Sequence, residues 1–212
     1  MIKTIYEDDY LLIVDKPSGL LTIPTPKKEF RTLTAILNEE AEKKEPNLRL
    51  YPCHRLDRQT SGLIIYAKTK RAQQAMMESF HRQKVYKEYI AFVRGKLKES
   101  SGRIKSYIRH DEREEPKLAV TDFEVANFFN GFSEIKVFPR TGRTNQIRIH
   151  FKQIGHPLLG ERKFAFGRDF EVKFKRLALH SSRLTFDHPV TGKRLDIYSE
   201  LPSDMERLKK KG

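Results

Sequence analysis

An unbroken apolar run, residues 63–67 (LIIYA), follows a turn signal at Thr60-Ser61-Gly62 and most narrows the folds open to this chain. Such a run is a buried strand, so the chain must build a sheet around it. The stretch just before it is unusual in composition. It starts with Pro52 and Cys53 and then concentrates His54, Arg55, Asp57 and Arg58 in five positions. A carboxylate set between two guanidiniums, directly ahead of a buried strand, marks residues 51–69 as the segment around which the rest is arranged. The Thr60-Ser61-Gly62 turn is expected to present it.

Other elements follow from periodicity. Residues 3–7 and 10–15 read as two short strands around Asp8-Asp9, and Lys16-Pro17-Ser18-Gly19 is a turn. Thr32 has the position of an N-cap, with Leu33, Ile36, Leu37 and Ala41 at helical spacing behind it. Thr69 caps a second helix with Ala72, Ala75, Met76, Ser79 and Phe80 facing inward. Residues 85–93 form a strand on which Lys87, Tyr89 and Ala91 share one face. A charged excursion at 96–117 contains one strand at 104–108. Residues 120–129 and 132–138 pair across Asn130-Gly131, a dipeptide that supplies two positive φ angles. Ile147, His150, Phe151 and Ile154 have helical spacing ended by Gly155 and Pro157, with Thr144 as the expected cap; an anion site at that N-terminus, with Arg143, is the other reading. Strands at 177–186 and 194–198 and a helix opened by Pro202 complete the chain. Strands outnumber helices without strict βαβ alternation, which predicts an α+β fold with a largely antiparallel or mixed sheet.

The 212 residues suit one large domain or two small, tightly packed ones. A single cysteine excludes an internal disulfide and a multi-cysteine zinc site, and it suits a reducing compartment, with the cytoplasm as the default. No apolar run is long enough to span a bilayer, so no membrane partner is expected. The net charge is +14, and its distribution is uneven. The first 50 residues hold 8 basic and 9 acidic side chains, and the remainder 34 and 19, a net of +15. A field of this kind attracts polyanions, because neutralised phosphates release counterions. Charge alone leaves nucleic-acid binding level with a solvated basic face.

Dinucleotide, Walker, zincin and serine-hydrolase motifs are lacking, and the seven histidines do not cluster at metal-ligand spacing. No metal or cofactor is expected. His150 and His180 read as structural histidines. Asp57 stands apart: a nearby guanidinium favours an ionised carboxylate, and such a group can attack a sugar anomeric carbon. Spacing alone leaves a structural ion pair level with an active site.

His54-Arg55-Leu56-Asp57 followed by Thr60-Ser61-Gly62-Leu63 resembles the HRLDxxTSGL signature of the RluA-like RNA pseudouridine synthases. Further segments are similar to the family's other motifs and stand in its order. They are Lys16-Pro17-Ser18-Gly19-Leu20, Lys87-Glu88-Tyr89-Ile90-Ala91, residues 142–150 (GRTNQIRIH) with Gly155-His156-Pro157 and Gly160, and residues 176–180 (RLALH). Two departures stand out: Asn145 where histidine is frequent, and Glu161 with 164–167 in place of a Gly-Asp…Tyr-Gly run.

The resemblance implies a mixed, mainly antiparallel sheet in two halves with a central active-site cleft. It implies one catalytic domain over residues 1–212, without an N-terminal S4 domain. Asp57 would be the catalytic aspartate, Tyr89 the tyrosine that stacks on the flipped uracil, and Arg148 the arginine that keeps Asp57 ionised. Arg55 would fill the space left by the flipped base, and His54 and Arg143 would join it in holding RNA. The reaction breaks C1′–N1, turns the uracil and joins C5 to C1′, with no cofactor. Attack at C1′ and proton abstraction at C2′ both remain open for Asp57. The implied partner is structured rRNA or tRNA, and a monomer is expected. A noncatalytic RNA-binding or ribosome-assembly factor on the same fold is the alternative reading. A glycosidase is weaker, since Asp57 has no evident second carboxylate.

Overall fold

The computed structural model describes residues 2–25, 29–109, 115–165 and 170–211. In chain order the elements begin β1 (Lys3–Glu7), β2 (Leu11–Lys16), α1 (Leu33–Lys44), β3 (Tyr51–Pro52), β4 (Ser61–Ala67), α2 (Lys70–His81) and β5 (Tyr86–Arg94). They continue with β6 (Ser101–Ile108), β7 (Lys117–Phe129), β8 (Phe132–Pro139), α3 (Gln146–Gln153), β9 (Leu179–Asp187), β10 (Arg194–Tyr198) and α4 (Ser203–Lys209). The class is α+β, as expected. The chain divides into two compact units, Met1–Tyr86 with Ser181–Ser199, and Lys87–His180 with Glu200–Gly212.

In the first unit the strands run in the order β1-β2-β4-β9, with β10 on β9 and β3 on β4. All seven residues of β4 are buried, as its apolar run requires. It pairs antiparallel with β2 from Leu11↔Ala67 to Lys16↔Gly62. Leu11, Ile13, Leu63, Ile65, Met76, Leu184 and Phe186 share one core cluster, to which α2 contributes Ala72 and Met76. Both helix starts agree with the local sequence: Thr32 Oγ1 accepts from Ala35 N at 3.2 Å, and Thr69 Oγ1 from Ala72 N at 3.1 Å.

Gly62 is different from expectation. The turn closes one step earlier, where Thr60 N donates to Asp57 O at 3.0 Å, and Gly62 lies inside β4 with φ +112°. Its role is close approach: a Cβ there would stand 2.3 Å from Ser181 O. Gly62→Ala should therefore destabilise the protein by about 3 kcal/mol or more, from positive-φ strain plus a clash with backbone. A thermal melt followed by circular dichroism should show Tm falling by roughly 6–12 °C.

The second unit carries the meander β5-β8-β7-β6. Along β5, Ala91 and Val93 join Tyr89 in one core cluster, while Phe92 and Ile90 belong to another. The alternation puts Lys87 on the Tyr89 side of the strand. The 120–138 hairpin forms as expected, but only Gly131 takes a positive φ, at +81°; Asn130 does not. The β7 strand starts at Lys117 and carries a bulge between Val125 and Asn127. β6 is longer than expected, and residues 110–114 of the 96–117 excursion lie outside the described residues. Ile147 and Phe151 of α3 pack with Ile104 and Phe123, the two phenyl rings meeting edge-on at 5.6 Å.

Candidate active site

The segment bearing Asp57 leaves the sheet through a substituted hydrogen bond. After Tyr51↔Ala67 and Pro52↔Tyr66, Cys53 N still donates to Ile65 O at 2.9 Å. The next acceptor is a side chain: Ile65 N donates to His54 Nε2 at 3.0 Å. The imidazole stands in for backbone and also packs against Phe80, the two rings tilted by 35° with centroids 4.6 Å apart. Since Nε2 accepts, the proton of the neutral ring is on Nδ1. Burial pushes the Cys53 thiol up to about 12, so it is no nucleophile at neutral pH.

Beyond His54 the chain alternates outward and inward. Arg55 is exposed, Leu56 buried and Asp57 half-buried. Leu56 is held at both backbone groups by one hydroxyl. Thr22 Oγ1 accepts from Leu56 N at 3.3 Å and donates to Leu56 O at 3.2 Å. Thr22 is itself tied to the start of α1, its carbonyl accepting from Thr34 N at 3.1 Å and Thr34 Oγ1 at 2.7 Å.

The far side of Asp57 is fastened by Lys16, a lysine with no exposed surface. Its ammonium donates to Leu20 O at 2.7 Å, Pro17 O at 2.9 Å and Arg58 O at 3.2 Å. Arg58 O also accepts from Gly19 N at 2.8 Å, Arg58 Nε donates to Gly19 O at 3.2 Å, and Ser18 Oγ donates to Gln59 O at 2.6 Å. The two loops, 16–22 and 55–60, thus form one stitched body that holds the backbone on both sides of the half-buried Asp57. Nothing in the local sequence links Thr22 to this body, and the part Arg58 takes in it is through its carbonyl and Nε.

In the second unit Tyr89 is half-buried on β5. Arg148 lies in the first turn of α3 with an 11 % exposed side chain, and it meets a Glu161 side chain with no exposure. The pair is bidentate, Nε to Oε2 at 2.7 Å and Nη2 to Oε1 at 2.8 Å, and Arg148 Nη1 donates to Asn145 Oδ1 at 2.6 Å. Glu161 Oε1 also accepts from the backbone N–H groups of Arg162, Lys163 and Phe164 at 2.9, 2.7 and 3.3 Å. Burial alone would raise this carboxyl, but Arg148 and the amides outweigh it and hold it below its ordinary value. Both departures from the family pattern, Asn145 and Glu161, are therefore ligands of one guanidinium. Residues 166–167 of the second departure lie outside the described residues.

The expected Thr144 cap is replaced. Asn145 occupies the cap position in the left-handed region, φ 56° and ψ 18°, with no side-chain cap bond. Gln146 does the local tying. Its Oε1 accepts from Arg143 N at 3.0 Å and Thr141 Oγ1 at 2.6 Å, and its Nε2 donates to Val120 O and Thr121 Oγ1, both at 2.9 Å. The Arg143 side chain is exposed, with Nε near Leu118 O at 3.3 Å. His150 is structural, fully buried, with Nδ1 2.8 Å from Thr121 Oγ1; His180 is fully buried too. Among the described residues no cluster of His, Cys, Asp and Glu has the arrangement of a metal site.

The sequence pattern of the RNA pseudouridylate synthase family matches residues 10–153. The dual-specificity RNA pseudouridine synthase RluA of Haemophilus influenzae is 35 % identical over 204 residues, 92 % of this chain and 90 % of that one. An uncharacterized RNA pseudouridine synthase of Bacillus subtilis, YlyB, is 34 % identical over 98 % of this chain and 73 % of its own. The ribosomal large subunit pseudouridine synthase D of Xanthomonas campestris is 31 % identical over 98 % of this chain and 68 % of its own. Among solved structures, human RNA pseudouridylate synthase domain containing 4 superposes with a TM-score of 0.80 at 23 % identity, covering 98 % of this chain and 93 % of that one. The chain belongs to the RNA pseudouridine synthases, in their RluA-like branch. It is an isomerase acting on uridines in RNA, and its fold is theirs.

Proposed function

We propose that the protein converts uridine to pseudouridine in structured rRNA or tRNA, with Asp57 acting at the ribose of the target nucleotide. The observation that carries this is the double hold of Thr22 on Leu56, which fixes the backbone between an exposed Arg55 and a half-buried Asp57 in a loop stitched at both ends. An arginine able to fill a vacated stack and a carboxylate able to reach its sugar are what an enzyme that flips a nucleotide needs. Tyr89 supplies a ring for the flipped uracil. Arg148, held by Glu161 and Asn145, supplies a pre-oriented positive charge. Arg143 and the basic surface hold phosphates. The hydrogen bond and ring contact of His54 support a scaffold role in place of the RNA binding expected for it.

The name of one relative, a ribosomal large subunit pseudouridine synthase, supports rRNA as a substrate class, and the dual-specificity name of another supports more than one RNA substrate. We further propose that it works as a monomer and in the cytoplasm, whose reducing conditions suit its single buried, unpaired cysteine. The test uses large-subunit rRNA and tRNA transcripts carrying C5-tritiated uridine. Tritium release from either is the expected result. Release from neither, with the protein folded, overturns the proposal.

A further inference from the structure

Lys87 is an ammonium with no acceptor among the described residues. Of the described lysines, those not exposed are Lys16, Lys68, Lys87 and Lys209. Lys16 donates to three carbonyls, Lys68 pairs with Glu7 at 2.8 Å, and Lys209 with Glu134 at 3.0 Å. Lys87 makes no hydrogen bond or ion pair with any described residue. Its surroundings are cationic instead: burial lowers it from the ordinary ammonium value, and the charge of Arg140 adds in the same direction. Arg140 shares the single carboxylate of Asp122 with Arg103, its Nε 2.7 Å from Oδ2, which leaves that trio with one net positive charge. The neighbouring carboxylate in sequence, Glu88, projects to the other side of β5.

A half-buried cation beside a second cation costs folding free energy, and that cost is offset only when an anion arrives. The position indicates which anion. Lys87 and Tyr89 are two apart on one face of the strand, roughly 6.6 Å. That is about the reach from a base to the backbone of its own nucleotide. Resting on the reading of Tyr89 as the ring under the target uracil, we propose that Lys87 is a phosphate-binding residue. Its ammonium takes a phosphodiester of the substrate RNA beside the stacked nucleotide.

The test measures binding of an rRNA or tRNA transcript by Lys87→Met, which keeps the aliphatic stem, and by Lys87→Arg, which keeps the charge. Salt is titrated from about 50 to 200 mM. With one fewer phosphate neutralised, the slope of log affinity against log salt should fall by about 0.7 to 0.9 in Lys87→Met. Kd should rise roughly five- to tenfold at the low-salt end, and the loss in kcat/KM should fall on KM. Lys87→Arg should recover the slope. An unchanged slope in a Lys87→Met protein of native circular dichroism overturns the proposal. So does a loss confined to kcat at saturating RNA, which would put the ammonium on the uracil. Binding is read without turnover, so a wild type that binds RNA but releases no tritium sinks the isomerisation proposed for Asp57 and leaves the phosphate-binding role of Lys87 to be judged by its slope.

Discussion

Asp57→Asn should lower tritium release by about 10³-fold or more while leaving the fold intact, as expected when the group that attacks or deprotonates the substrate is removed. The physical ground is the division of labour along the loop. The hydrogen bonds that fix its backbone come from Thr22, Lys16, Gly19 and Ser18, and Asp57 itself contributes its carbonyl to the turn. Exchanging one carboxylate oxygen for an amide on a half-buried side chain leaves that framework in place. The variant should therefore still fold, with Tm lowered by no more than roughly 4–8 °C, about 2 kcal/mol. Single-turnover release and a melt on the same preparation check both halves. Equal release by Asp57→Asn and wild type would remove Asp57 from the chemistry. A Tm collapse would make it a structural residue.

Glu161→Gln should cost both stability and activity. Oε1 of Glu161 faces four donors and Oε2 faces Arg148 Nε. A glutamine has one acceptor oxygen; wherever it points, its NH₂ meets an N–H. Removing one charge of a buried pair costs roughly 3–5 kcal/mol, since the other is left uncompensated. Tm should drop by roughly 6–20 °C, and Arg148, losing its orientation, should show the loss in kcat. Glu161→Asp, which keeps the charge, should recover part of both. The pH dependence has a definite sign. The carboxyl of Glu161 is held below its ordinary value in the folded state. Its contribution is complete above the unfolded value of about 4.3 and is lost as pH falls through the lower folded value. Between neutral pH and mild acid, wild type and Glu161→Gln should differ by a constant amount, and the gap should close only in stronger acid. A gap that closes at neutral pH would contradict the assignment.

What was legible in the sequence was what is local. Thr32 and Thr69 cap their helices because a hydroxyl three residues before a free N–H needs no other information. The 63–67 run became a buried strand because its apolar content allows little else. Local reading failed where a distant partner decides. Thr144 looked like a cap, but Gln146 is drawn to β7 and Asn145 accepts the left-handed conformation and bonds Arg148. Gly62 looked like a turn residue, and its reason lies at Ser181. Asn130 carried the signature of two positive φ angles, while the hairpin uses one. Of the proposed site, Asp57, Tyr89 and Arg148 are legible only through resemblance. Glu161 shows in the sequence only as a departure from the family pattern, because a carboxylate thirteen residues away across a loop has no periodic relation to its arginine.

Thr22, Lys16 and Ser18 act on the Asp57 loop from 34 to 42 positions upstream. The consequence is one of portability. A peptide of residues 51–69, or a graft of that stretch onto another sheet, would carry every letter of the motif but lack Thr22, Lys16 and Ser18, which hold its backbone from outside. The smallest transferable unit reaches back at least to β2 and includes the start of α1.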